Sequence, residues 1–175
     1  MLSVMMVCGH AYCQNQITMT KDSMTLLNNI TLEYAEYGEG AVTYLLLHGL
    51  GSNMKAYDKL VDAMGTDVHA VAINYPQNLK QFSLRQYADI IAAFTEKLKA
   101  DHLVIVGHSM GAQIAMHLAI RHPDIPSELV LIAPAGIETF SEDDRNWFDQ
   151  YVTKTYYKNL TPERIKYSFD INFHG

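Results

Sequence analysis

Leu103-Val104-Ile105-Val106 is an unbroken apolar run, mostly β-branched, and Gly107-His108-Ser109-Met110-Gly111 follows it directly. The run predicts a short buried strand. An amphipathic helix pattern opens at once through Gln113-Ile114-Ala115-Met116-His117-Leu118-Ala119-Ile120. Strand, Gly-x-Ser-x-Gly and helix in that order constrain the chain more than any other feature. The serine must occupy a sharp strand-to-helix turn with its hydroxyl directed away from the sheet. Gly107 and Gly111 lack a Cβ, so strand and helix can close around Ser109. The five-residue pattern alone arises often by chance, and the flanking elements give it weight. The plain alternative is a glycine-rich βα turn with an incidental serine.

A second segment has the same build. Val42-Thr43-Tyr44-Leu45-Leu46-Leu47 reads as a buried strand and runs into His48-Gly49-Leu50-Gly51-Ser52-Asn53. A helix pattern follows, with Tyr57, Leu60, Val61 and Met64 spaced for one face. Glycine-rich loops at strand ends present backbone N–H groups, which suit negative charge developing on an oxygen. Together the two segments resemble the α/β-hydrolase family, and their order in the chain matches it. The resemblance implies that Ser109 is a nucleophile and that the N–H groups of Leu50 and Met110 form an oxyanion hole. It also implies that His48, Gly49, Gly107, His108 and Gly111 support the loop and the elbow. His48 is then a structural member of its loop, because the family's base lies late in the chain.

With 175 residues the chain suits one domain with a real core. A net charge of −6 argues against nucleic acid or an anionic membrane surface as its main partner. No stretch reaches the roughly 20 apolar residues of an integral membrane span. Residues 1–16 stand apart: apolar at first, then small and polar, with a candidate cleavage site near 9–13. They read as a signal peptide without its usual basic start, as a start codon placed too late would give, or else as a disordered tail. A signal would make the protein secreted or periplasmic; otherwise it is cytoplasmic. Both cysteines, Cys8 and Cys13, fall there, so the body holds no disulfide framework or cysteine zinc site.

The body, 17–140, reads as alternating strands and helices. Met24-Thr25-Leu26-Leu27 and residues 30–37 form a hairpin about Asn28-Asn29. Residues 68–73 give a strand stopped by Asn74-Tyr75-Pro76-Gln77, where family members often carry Asp-x-Pro-Gly. Ser83 and Gln86 form a capping box for a helix that ends near Ala100. Residues 128–133 form the sixth strand, closed by Pro134-Ala135-Gly136. This pattern predicts an α/β fold whose mostly parallel sheet is covered by helices on both faces. Residues 141–175 begin with Ser141 as a helix cap and continue through Trp147, Phe148, Tyr151, Val152 and Tyr156. A second helix starts at Thr161-Pro162 and carries Ile165, Tyr167, Phe169, Ile171 and Phe173. The resemblance makes this segment the start of a helical cap over an apolar pocket; ordinary packing against the sheet is the alternative.

A serine needs a base, usually a histidine held by a carboxylate. The family's acid and histidine follow its seventh and eighth strands, which are not in this sequence. His174 adjoins the last residue, and Glu138, just after the sixth strand, is the best acid available. His69, His102, His117 and His122 read as structural or solvated. The expectation is therefore a fragment, inactive alone, of a serine hydrolase acting on a small apolar ester or related carbonyl substrate. Residues 131–137 are similar to capped lipase-like and carbon–carbon-bond hydrolase branches. No metal or organic cofactor is implied, since the chemistry needs only protein groups. A non-catalytic binding protein on the same fold is the alternative. Stopping after six strands would leave the sixth as an exposed edge, favouring weak stability or pairing with another chain.

Overall fold

The computed structural model describes residues 19–26, 29–65, 67–76 and 83–173. The signal-like segment 1–16, the asparagine at 28, Gln77 and His174 lie outside the described residues. The chain divides between Ala135 and Gly136 into two compact units.

The first unit is a mixed sheet of six described strands in the order β1-β2-β4-β3-β5-β6. β1 (Met19–Thr25) and β2 (Thr31–Tyr37) pair antiparallel, and β2 pairs antiparallel with β4 (His69–Asn74). β3 (Thr43–Leu47), β4, β5 (Leu103–His108) and β6 (Glu128–Ile132) run parallel to one another. The hairpin is longer than its sequence signal: β1 begins at Met19, where Met19-Thr20-Lys21-Asp22-Ser23 carries little apolar alternation and is exposed. Cross-strand pairing with β2 holds it, a long-range effect that local pattern does not carry.

Side-chain alternation sorts the parallel strands into two cores. Leu45, Leu47, Val71, Ile73, Leu103 and Ile105 face α2 (Leu84–Leu98) and α3 (Met110–Arg121), whose Phe94, Ile91, Ile114 and Leu118 are fully buried. Leu46, Ala70, Ala72, Val104 and Val106 face the other way, against Tyr57 and Val61. Those two residues belong to a 3-10 turn, Met54–Tyr57, and to α1, Asp58–Met64. Of the predicted face, Tyr57 and Val61 are buried and Met64 is half-buried, while Leu60 is 38% exposed at the edge of that face.

Ser83 accepts from Gln86 N at 3.2 Å and starts α2, and Lys99 in the left-handed region (φ 51°) ends it. The second unit holds α4 (Glu142–Tyr151), α5 (Lys154–Lys158) and α6 (Pro162–Phe173), with a break at Val152 where one continuous pattern was expected. Ser141 and Asp144 form a reciprocal capping box. Its aromatics make a ladder of ring contacts, Phe140–Phe148, Trp147–Phe148, Trp147–Tyr151 and Tyr151–Tyr156, at 5.2 to 5.6 Å. No residue of α4 is buried.

Candidate active site

Ser109 sits between β5 and α3 with φ 54° and ψ −115°, a backbone state that non-glycine residues seldom hold. It is kept there from three sides. Its N–H donates to Ile132 O at 3.0 Å, and its carbonyl accepts from Gln113 N at 3.1 Å and Ala135 N at 3.3 Å. The elbow glycines are demanded by contact. A Cβ on Gly107 would lie 2.5 Å from Ala112 Cα, and one on Gly111 would strike the Leu47 carbonyl. Gly107 thus admits the helix, whereas Gly111 admits the neighbouring strand β3. The turn costs about 1–3 kcal/mol in strain, which this surrounding structure offsets.

A cleft of about 400 Å3 opens over the ends of β3 and β4. Its walls are the loop from His48 to Asn53, the segment Asn74-Tyr75-Pro76, Tyr87 and Met110. Ser109 is half-buried and stands at the margin of this cleft, next to Met110. A Cβ on Gly49 would be 3.3 Å from Ser109 Cβ and 3.1 Å from His108 Nδ1, so the two glycine-bearing segments meet face to face. The structure therefore brings together Ser109, Leu50, Met110, Gly49 and His48. Leu50 is 81% exposed, and neither its N–H nor that of Met110 has a hydrogen-bond partner among the described residues.

His48 is buried, with Nδ1 donating to Gly49 O at 2.8 Å and its ring 4.5 Å from that of Tyr75. Burial pushes its pKa down, against the smaller opposing pull of the Gly49 carbonyl. That environment suits a structural histidine. Burial also raises the Tyr75 hydroxyl, and pushes Tyr57 up to about 12, so both phenols stay protonated donors. His108 is exposed. Three further histidines pair elsewhere: His69 bridges Glu36 at 2.6 Å and Thr43 at 2.9 Å, His102 meets Glu128, and His122 joins Arg121 on Asp89. Glu138 is exposed in the second unit. Among the described residues no side chain hydrogen-bonds the Ser109 hydroxyl.

Sequence reasoning missed Tyr57, Asn74, Tyr75 and Tyr87. Asn74 Oδ1 accepts from Met54 N at 2.9 Å and ties the end of β4 to the turn after the His48 loop. The departure at Asn74-Tyr75-Pro76 was the one visible signal, since it follows a strand that proves to lie beside β3.

The model of the alpha/beta hydrolase fold family matches residues 44–167, most of the chain and both segments just described. The chain belongs to the alpha/beta hydrolase fold family. Relatives within alpha/beta hydrolases are distant and of several activities. A probable 1-acylglycerol-3-phosphate O-acyltransferase of Oryza sativa subsp. japonica is 26% identical over 165 residues, covering 83% of this chain and 39% of its own. A 2-(acetamidomethylene)succinate hydrolase of Mesorhizobium japonicum is 28% identical over 114 residues, covering 61% of this chain and 40% of its own. Among solved alpha/beta hydrolase structures, a bacterial membrane phospholipase A superposes with a TM-score of 0.67 at 26% identity, over 75% of this chain and 46% of that one. The chain thus spans about two-fifths of the length of these curated relatives. No helix among the described residues is long and apolar enough to cross a membrane.

Proposed function

We propose that Ser109 is the nucleophile of a serine hydrolase that cleaves a small apolar ester or related carbonyl compound through an acyl-enzyme. The single observation that carries this is the strained backbone of Ser109, directly before Met110 on the wall of a cleft that Leu50 also lines, the N–H groups of Leu50 and Met110 having no partner among the described residues. Strain of that kind persists where the hydroxyl's position matters. Ser109 Oγ attacks the carbonyl carbon and passes its proton to a base. The carbonyl π electrons move onto oxygen, where the Leu50 and Met110 N–H groups hold the charge. Collapse expels the alcohol, which takes a proton from the base, and water then releases the acid by the same route.

No acid or base neighbours Ser109 among the described residues, so this reading takes both from residues other than those described. A chain without its base would be inactive alone. The acyltransferase names among the relatives leave an alcohol, in place of water, as the acceptor in the last step.

The free Ser109 hydroxyl favours one other reading, a binding protein that keeps the cleft without chemistry. A fluorophosphonate probe separates the two. The hydrolase reading expects Ser109 to be labelled in a longer gene product, Ser109→Ala to abolish it, and this chain to label weakly. Absence of labelling in every form leaves the binding protein.

A further inference from the structure

Three consecutive carbonyls at the end of β3 are each gripped by an aromatic side chain. Tyr57 Oη donates to Leu47 O at 2.8 Å, Tyr75 Oη to His48 O at 3.1 Å, and His48 Nδ1 to Gly49 O at 2.8 Å. Ser52 N adds a second, longer bond to Gly49 O at 3.2 Å. The first grip lies at the last rung of the β3–β5 ladder, where the register pairs Leu47 with Gly107.

A trans peptide group is planar, with its C=O and N–H pointing in opposite directions. Fixing the Gly49 carbonyl therefore fixes the direction of the Leu50 N–H. A loop of Gly49 and Gly51 has no intrinsic preference for that direction, and Gly51 already sits at φ 75°. The orientation must come from its partners. His48 supplies the short bond, Tyr75 fixes the imidazole by ring contact and holds the preceding peptide, and Tyr57 anchors the peptide before that.

We infer that His48, Tyr75 and Tyr57 are positioning residues, a three-part clamp that aims the Leu50 N–H into the cleft beside the Met110 N–H. The purpose of that aim rests on the serine-nucleophile reading above; the clamp itself does not. It requires a hydrogen on His48 Nδ1, since Nδ1 faces a carbonyl oxygen.

Nitrogen-15 spectra of the 175-residue chain test the clamp without any catalysis. Long-range imidazole spectra at neutral pH are expected to show His48 protonated at Nδ1; protonation at Nε2 alone overturns the inference. The Leu50 amide cross-peak is expected to shift in His48→Ala and in Tyr75→Phe, which keeps the ring and removes only the hydroxyl. It should return towards its original position in His48→Asn, whose side-chain amide can donate to Gly49 O. A Leu50 cross-peak unmoved by Tyr75→Phe overturns the clamp even if His48→Ala fails to fold. In a form that labels at Ser109, His48→Ala should slow labelling about tenfold, and His48→Asn should restore most of it. Labelling that is absent throughout counts against the nucleophile alone, with the spectra still deciding the clamp.

Discussion

β5 and β6 lie side by side in parallel, and both are built mainly of Leu, Val and Ile. In β5 every residue but the last is buried; in β6 none is. The difference is position. β5 has β3 on one side and β6 on the other, whereas β6 has a described neighbour on one side only. Leu129 and Leu131 still pack against the α2–α3 core, but Val130 and Ile132 stay 44% and 43% exposed on the opposite face. An apolar run therefore specifies a strand without specifying its place in the sheet. The candidate nucleophile Ser109 directly follows the strand that the sheet encloses.

That contrast can be broken or sharpened by substitution. The largest effect is expected for Gly111→Val, which drives a side chain into the Leu47 carbonyl. It should cost about 4 kcal/mol or more, read as a collapse of the urea midpoint. A folded, stable Gly111→Val protein would mean that β5 is not locked to β3 as described. Next, Ile105→Ala in β5 should lose about 2–5 kcal/mol by leaving a cavity in the α2–α3 core. Val130→Ala in β6 should change stability by no more than about 0.5 kcal/mol. Equal losses at the two sites would erase the comparison. Val130→Lys should reduce self-association in sedimentation, since a charge blunts an open strand edge.

A gain is expected at the elbow. Ser109→Gly removes the Cβ from a residue at φ 54° and should stabilise the fold by about 1 kcal/mol while abolishing any labelling. The smallest effect is in pH. Burial lowers the pKa of His48, so the unfolded chain binds its proton first as pH falls through the ordinary histidine range. The contribution is complete above about pH 6.5 and declines below it. His48→Asn, compared with the unaltered chain by urea unfolding at pH 7.5 and 5.5, should lose less stability on acidification.

The elbow was legible because its demands are local. Gly107, Ser109 and Gly111 sit within five residues, and each glycine answers a contact that the turn itself creates. The His48 loop was legible for the same reason, and the family match covers both. Tyr57 and Tyr75 were not, because their hydroxyls serve carbonyls 10 and 27 residues away. With 11 tyrosines in the sequence, nothing local marks those two. The length of β1 and the exposure of Leu60 escaped for related reasons. One is set by a partner strand, and the other by how the short helix lies on the sheet.

On one face of the sheet Ala35, Ala70 and Ala72 sit among Tyr37, Leu46, Val104 and Val106, and Tyr57 belongs to the same buried cluster. Methyl-sized paving keeps the standoff short, so a phenol at the start of the overlying helix can reach the main chain of the sheet. A tyrosine ring is a rigid strut of fixed length with no slack to absorb a thicker spacer. Valines at 70 and 72 are expected to lengthen the Tyr57–Leu47 bond, read as a shift of the Leu47 and His48 amide signals. The geometry of the 48–50 loop thus depends on the bulk of residues that never touch the cleft.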